Sequence, residues 1–230
     1  MLRSLQAHAQ ALPDAWQPER ANQWTHALGL VLSLVAAAVM LASVWTTGDP
    51  NRLCGCAIYA AAMVALYTAS TLSHSFKDGP YREFYRMLDQ VCIFLFIASC
   101  FTPFILTHLR NAFGYGMLAV MWSIALAGVV IRMRSRARTV PIALFIPLGW
   151  LPLLVIWRIY EVGHWPGLGL VLAGGAAYTG GFWFLANDHK RGWYHAAWHL
   201  STVAGTALHY FFLLEFVALH HDVPGVLASR

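Results

Sequence analysis

The feature that most constrains this chain is a succession of apolar windows, each long enough to cross a bilayer. The hydrocarbon layer is about 30 Å thick, and a helix rising 1.5 Å per residue needs about 20 apolar residues to span it. Seven windows qualify, at residues 24–45, 54–76, 87–109, 113–132, 139–157, 166–186 and 195–219. No window alternates with period two over about ten residues, as the strands of a membrane β-barrel do. The expected fold is therefore all-α, an integral membrane bundle of seven transmembrane helices. Composition agrees: 59% of the 230 residues are hydrophobic and only 11% charged, whereas soluble domains are near 25% charged. Connections are short, so residues 1–230 are read as a single domain with a cytoplasmic N-terminal segment over 1–22.

The formal net charge of +5 speaks to topology rather than to nucleic acid. Eleven of the fifteen Lys and Arg residues lie on one set of segments: Arg3 and Arg20; Lys77, Arg82 and Arg86; Arg132, Arg134, Arg136 and Arg138; Lys190 and Arg191. Only Arg52, Arg110, Arg158 and Arg230 lie on the other set. The positive-inside rule then puts the N-terminus and the even-numbered connections in the cytoplasm of an inner or plasma membrane, and seven spans send the C-terminus out. The first twenty residues lack a continuous apolar run, so no cleavable signal is expected. Leu2, Leu5 and Leu12 leave a short interfacial helix open there. Cys54, Cys56, Cys92 and Cys100 read as small apolar residues rather than a disulfide framework.

Ionisable groups inside hydrocarbon are costly and usually mark function. Here they gather at one end. His74 falls near the cytoplasmic end of the second window, Asp89 near the cytoplasmic start of the third, and His195 and His199 near the cytoplasmic start of the seventh. At 1.5 Å per residue all four share a membrane level to within about 10 Å. His195 and His199, four residues apart, lie about 40° apart on one helix face and can hold one metal ion together. Ser70 and His74 repeat that spacing on another span. Three imidazoles with a fourth tetrahedral position open to water is the pattern of catalytic zinc, and neutral imidazole without nearby thiolate suits that ion. Each residue also has a plainer reading. A single histidine can be a hydrogen-bonded core residue, Ser70 can bond back to its own helix, and Asp89 can pair with Arg86 or cap the third helix.

His209 lies fourteen residues after His195, about 21 Å along the helix, which is too far to share the ion. His26 follows Thr25 at a helix start and reads as a cap or a support for the site rather than a ligand. His8, His108, His164, His189, His220 and His221 fall in expected loops or termini and read as solvated. Small faces at Gly167, Gly169, Gly174, Gly175, Gly180 and Gly181 invite close helix approach in the sixth window. Pro103, Pro147 and Pro152 predict kinks in the third and fifth. Trp45, Trp157, Trp165 and Trp193 fall at expected interfaces.

Glu19, Asn22, Thr25 and His26 in ERANQWTH, Ser70 and His74 in STLSH, Asp89 in RMLDQ, and His195, His199 and His209 in HAAWHLSTVAGTALH together resemble the progestin and adipoQ receptor family. The resemblance is strongest to its bacterial hemolysin III branch, covers nearly the whole chain, and extends to the same signatures in alkaline ceramidases. It implies a seven-helix bundle with an internal N-terminus and a zinc ion held at His74, His195 and His199. By analogy with the ceramidases, a zinc-bound water would attack an amide or ester carbonyl of a membrane lipid. Asp89 would orient the water and accept its proton, and Ser70 would hydrogen-bond the oxyanion or the water. Asn22 and His26 would support the site, and His209 would make a buried polar contact or line the lipid cavity. Two other classes stay open: a receptor or membrane-state sensor with structural zinc, for which the short loops leave little ligand surface, and a pore-forming hemolysin, for which polar stripes should run along several spans.

Overall fold

A computed structural model describes residues 18–135 and 145–219. Those residues are all helical or connecting chain: α1 (Pro18–Trp45), α2 (Pro50–Ser73), α3 (Pro80–His108), α4 (Ala112–Arg134), α5 (Phe145–Trp150), a 3-10 turn (Leu151–Val155), α6 (Ile156–Ala186), a short 3-10 turn (Asp188–Lys190), α7 (Tyr194–Leu213) and a terminal π turn (Leu214–Ala218). Six helical stretches among them are long and apolar enough to cross a membrane. The proposed interfacial helix at Leu2, Leu5 and Leu12, the basic residues Arg136 and Arg138, the first residues of the fifth window, and His8, His220 and His221 lie outside the described residues.

The helix ends follow from local sequence. Asp49 accepts hydrogen bonds from the amides of Asn51 (2.9 Å) and Arg52 (3.3 Å), and Pro50 opens α2. Asn111 caps α4 by accepting from the Gly114 amide at 2.9 Å. α1 begins at Pro18, two turns before His26, so Thr25 and His26 lie inside the helix rather than at its start. That corrects the capping reading of His26.

The fifth and sixth windows run together as one stretch, Phe145–Ala186. The stretch folds back on itself. Phe145 stacks on Phe182 with centroids 6.1 Å apart, the Trp150 ring reaches Gly175, and Trp150 Nε1 donates to Thr179 Oγ1 at 3.1 Å. These pairs centre on His164, where φ is 46° and ψ is −152°, a left-handed excursion that L residues rarely adopt. Pro166 follows two residues later, suited to a fresh helix start. The expected kink near Pro152 appears as the 3-10 turn, and the main break falls at His164, exposed and in the connection expected between the fifth and sixth windows.

Packing is closest between α2 and α3, α6 and α7, and α1 and α2, with α1 also meeting α7. Tyr59, Tyr67, Phe94, Phe104, Met63 and Ile105 are fully buried at the centre of this bundle. The outward faces carry Val31, Leu32, Val35 and Val39 on α1 and Val120, Leu126 and Ile131 on α4, all exposed, as suits helices that face lipid. Trp45, Trp157, Trp165 and Trp193 are likewise exposed. His108 departs from expectation: its Nε2 bonds the Phe216 carbonyl at 2.7 Å, and its own carbonyl accepts from Arg158 Nε at 2.9 Å.

Candidate metal centre

Three helix ends meet where α1 begins, α2 finishes and α7 starts. His74 is the residue that terminates α2, and His195 and His199 sit in the first two turns of α7. One ring nitrogen from each of the three lies within 4.8 Å of the others, a grouping that can hold a metal ion. Ring centroids are 5.2 Å apart for His74 and His195, 5.0 Å for His74 and His199, and 4.6 Å for His195 and His199.

The outer nitrogens decide which atom each ring offers. His74 Nδ1 lies 2.9 Å from Glu19 Oε2, and His195 Nδ1 lies 3.3 Å from Asp188 Oδ2. His199 Nδ1 lies 3.3 Å from the Asn22 carbonyl and 3.2 Å from Thr25 Oγ1. A carbonyl oxygen only accepts, so His199 carries its proton on Nδ1, and an ionised carboxylate imposes the same tautomer on the other two rings. Each ring is left with a lone pair on Nε2. For His199 that atom is buried and has no hydrogen-bond partner, an arrangement that costs free energy unless something binds it. Histidine ligands oriented through the far nitrogen by a carboxylate or a carbonyl are the usual construction of metal sites.

Glu19 does more than orient one ring. Its second oxygen meets Arg82 Nη2 at 2.6 Å, and Arg82 Nη1 also reaches Asp78 at 2.9 Å, so one carboxylate ties the starts of α1 and α3 to the end of α2.

Ser70 and Asp89 are both buried and bond to each other, Ser70 Oγ donating to Asp89 Oδ2 at 3.2 Å. Asp89 lies beside an elongated, mainly apolar cavity of about 1220 Å³ counting its mouth, whose lining also includes His26, Phe96, Phe101, Leu153 and Phe182. Among the described residues no hydrogen bond joins the Ser70–Asp89 pair to the three rings. The cavity approaches those rings through His26, whose centroid is 3.7 Å from that of His199, and through Trp198, at 5.1 Å from the same ring. His26 is 2% exposed, neither of its ring nitrogens has a partner, and Asn22 Oδ1 is similarly unpaired. His209 lies elsewhere along the same cavity, its Nε2 3.1 Å from the Val171 carbonyl.

Sequence reasoning did not single out Asp188, and it gave Glu19 no role. A carboxylate just ahead of a span reads as an interfacial residue, and only the packing of helix ends reveals its partner. Asp188, seven residues before His195, was near enough in sequence to be considered as its partner, whereas Glu19 is 55 residues from His74 and no spacing signals the pair.

A family described as Haemolysin-III related matches residues 14–210, which include every residue of the histidine cluster. The chain is 33% identical to Hemolysin-3 of Bacillus cereus over 203 residues, covering 86% of this chain and 91% of that protein. It is 30% identical to the Hemolysin-3 homolog of Bacillus subtilis (strain 168) over 200 residues, covering 86% and 93%. It is 26% identical to the human Monocyte to macrophage differentiation factor over 204 residues, covering 86% and 83%. No solved structure matches it.

Proposed function

Because this chain belongs to the haemolysin III branch of the progestin and adipoQ receptor family, we propose that it is an intramembrane zinc-dependent hydrolase acting on an amide or ester bond of a membrane lipid. The observation that carries the reading is the meeting of one ring nitrogen from each of His74, His195 and His199 within 4.8 Å, with His199 Nε2 buried and without a partner, beside an apolar cavity. Three neutral nitrogen donors suit zinc, with His74, His195 and His199 as the residues that would hold it. A zinc ion there supplies a Lewis acid, which makes water a competent nucleophile near neutral pH.

The chain's own residues do the rest. Glu19, Asp188 and the Asn22 carbonyl hold the rings in one tautomer, so no reorganisation precedes binding. Asp89 accepts the proton that water gives up on attacking the carbonyl, and Ser70, whose single hydroxyl hydrogen goes to Asp89, holds that carboxylate in place. The aromatic and aliphatic lining takes the acyl chain, excluding water along its length. That lining suits an alkyl chain better than a column of water, which favours lipid hydrolysis over a pore despite the names of the bacterial relatives.

The same reading takes residues 1–230 as one domain of seven spans. Forty-two residues of helix measure about 63 Å, twice the hydrocarbon thickness, so Phe145–Ala186 crosses twice with its turn at His164. The Lys and Arg distribution puts the N-terminus and the histidine cluster on the cytoplasmic side of the inner or plasma membrane and the C-terminus outside.

The test is fatty-acid release from a panel of long-chain N-acyl amides and esters by purified protein in detergent. Release that a chelator abolishes and zinc restores supports the proposal. Metal-replete protein that releases nothing from any member would leave a sensor with structural zinc as the better account.

A further inference from the structure

Further along the cavity from the histidine cluster, the lining includes a second polar group built from Tyr178 on α6 and His209 on α7. Their ring centroids are 5.4 Å apart, edge to face. His209 is ten residues beyond His199, about 15 Å along the helix. Two glycines make room for the pair. A Cβ at Gly174 would lie 2.3 Å from His209 Cδ2, and one at Gly205 would lie 2.9 Å from the Tyr178 ring.

The protons of this group are all committed. Thr206 Oγ1 donates its single hydrogen to the Thr202 carbonyl at 2.9 Å and accepts from Tyr67 Oη at 2.8 Å. Its remaining contact, with Tyr178 Oη at 2.9 Å, must then have Tyr178 as donor. His209 Nε2 faces the Val171 carbonyl, which only accepts, so the proton sits on Nε2 and the lone pair on Nδ1. This is the opposite tautomer from the three rings of the metal centre. The pair therefore has two acceptor lone pairs, on His209 Nδ1 and Tyr178 Oη, and no uncommitted proton, on residues that line a mainly apolar cavity, where an unmatched acceptor is costly.

We propose that Tyr178 and His209 form a recognition point for a hydroxyl group carried on the apolar chain of the bound lipid, about 15 Å from the level of His199. The proposal rests on the reading of the cavity as a chain-holding site and adds a selectivity to it. A plain alkyl segment leaves both lone pairs unmatched, a hydroxyl satisfies one of them, and a ketone brings a third lone pair against two.

The test is competition against a fluorescent fatty acid on the purified full-length protein, using octadecanoic acid and its hydroxy and keto derivatives, with the hydroxyl moved stepwise along the chain. A mid-chain hydroxyl should bind about five-fold more tightly than the plain chain, the keto acid should show no gain, and the preference should fade as the hydroxyl moves toward either end. His209→Phe and, separately, Tyr178→Phe should bring the ratio of hydroxy-acid to octadecanoic-acid affinity, measured on the same variant, down toward one, whatever the change in octadecanoic acid binding itself. Equal binding of plain and hydroxy acids at every position, or an equal gain for the ketone, would overturn the recognition point and leave the chain site standing. No binding of any acid would overturn both.

Discussion

Glu19 Oε2 lies 2.9 Å from Nδ1 of His74, and the other oxygen of the same carboxylate meets Arg82 at 2.6 Å. The start of the first helix thus holds the ring that ends the second in the tautomer that leaves the Nε2 lone pair free. Orienting partners of this kind are typically worth 10–100-fold in metal affinity. Glu19→Gln keeps an acceptor but removes the charge, and Glu19→Ala removes both. Zinc affinity, measured by chelator competition, should fall by about ten-fold in the first and further in the second.

Asp89, the proposed proton acceptor, accepts from Ser70, and no hydrogen bond among the described residues joins it to the rings. Asp89→Asn should therefore retain zinc at the wild-type level while hydrolysis falls by about a hundred-fold or more. Elemental analysis and fatty-acid release on the same sample separate the two effects. Loss of zinc together with activity would make Asp89 part of the metal site instead.

The turn at His164 gives a topological prediction. In a cysteine-free background, His164→Cys should react with a membrane-impermeant maleimide added from outside, and Lys190→Cys only after the cytoplasmic face is opened. The reverse labelling pattern would invert the orientation drawn from the Lys and Arg distribution.

Much of this arrangement is legible in the sequence because hydrophobic length and helical spacing are local properties. The i, i+4 placement of His195 and His199 follows from helix geometry alone, and the nitrogens of His74, His195 and His199 do lie within 4.8 Å. The distance of His209 from that cluster follows in the same way. What escapes is tertiary. The docking of α1 against α7 sets the Asn22 carbonyl on His199 and lays His26 over the same ring, and no spacing rule reports which helices are neighbours. The break at His164 falls in the connection expected between the fifth and sixth windows, and only its positive φ, which no spacing rule reports, escapes. His108 reads as a loop residue because its partner, the Phe216 carbonyl, lies over a hundred residues away.

Between the first two helices, Asp49 caps α2 and pairs with Arg110. Burial raises its carboxyl pKa, but the hydrogen bond with Arg110 and those from the Arg52 and Asn51 amides outweigh it, so the value lies below the usual 3.8. A depressed carboxylate contributes stability above its unfolded pKa and loses it as pH falls through the folded value. Thermal stability of the purified protein should therefore decline below about pH 4. Asp49→Asn, which keeps a capping acceptor but not the charge, should be less stable at neutral pH and show a shallower decline.

Zinc content of the purified protein tests the central claim most directly, measured by elemental analysis in the wild type and in a His195→Ala, His199→Ala double variant that still runs as a folded species on size exclusion. About one zinc per chain is expected in the wild type and none above background in the variant. A wild type without zinc, or a variant that keeps it, would contradict the assignment of these three histidines as a metal centre.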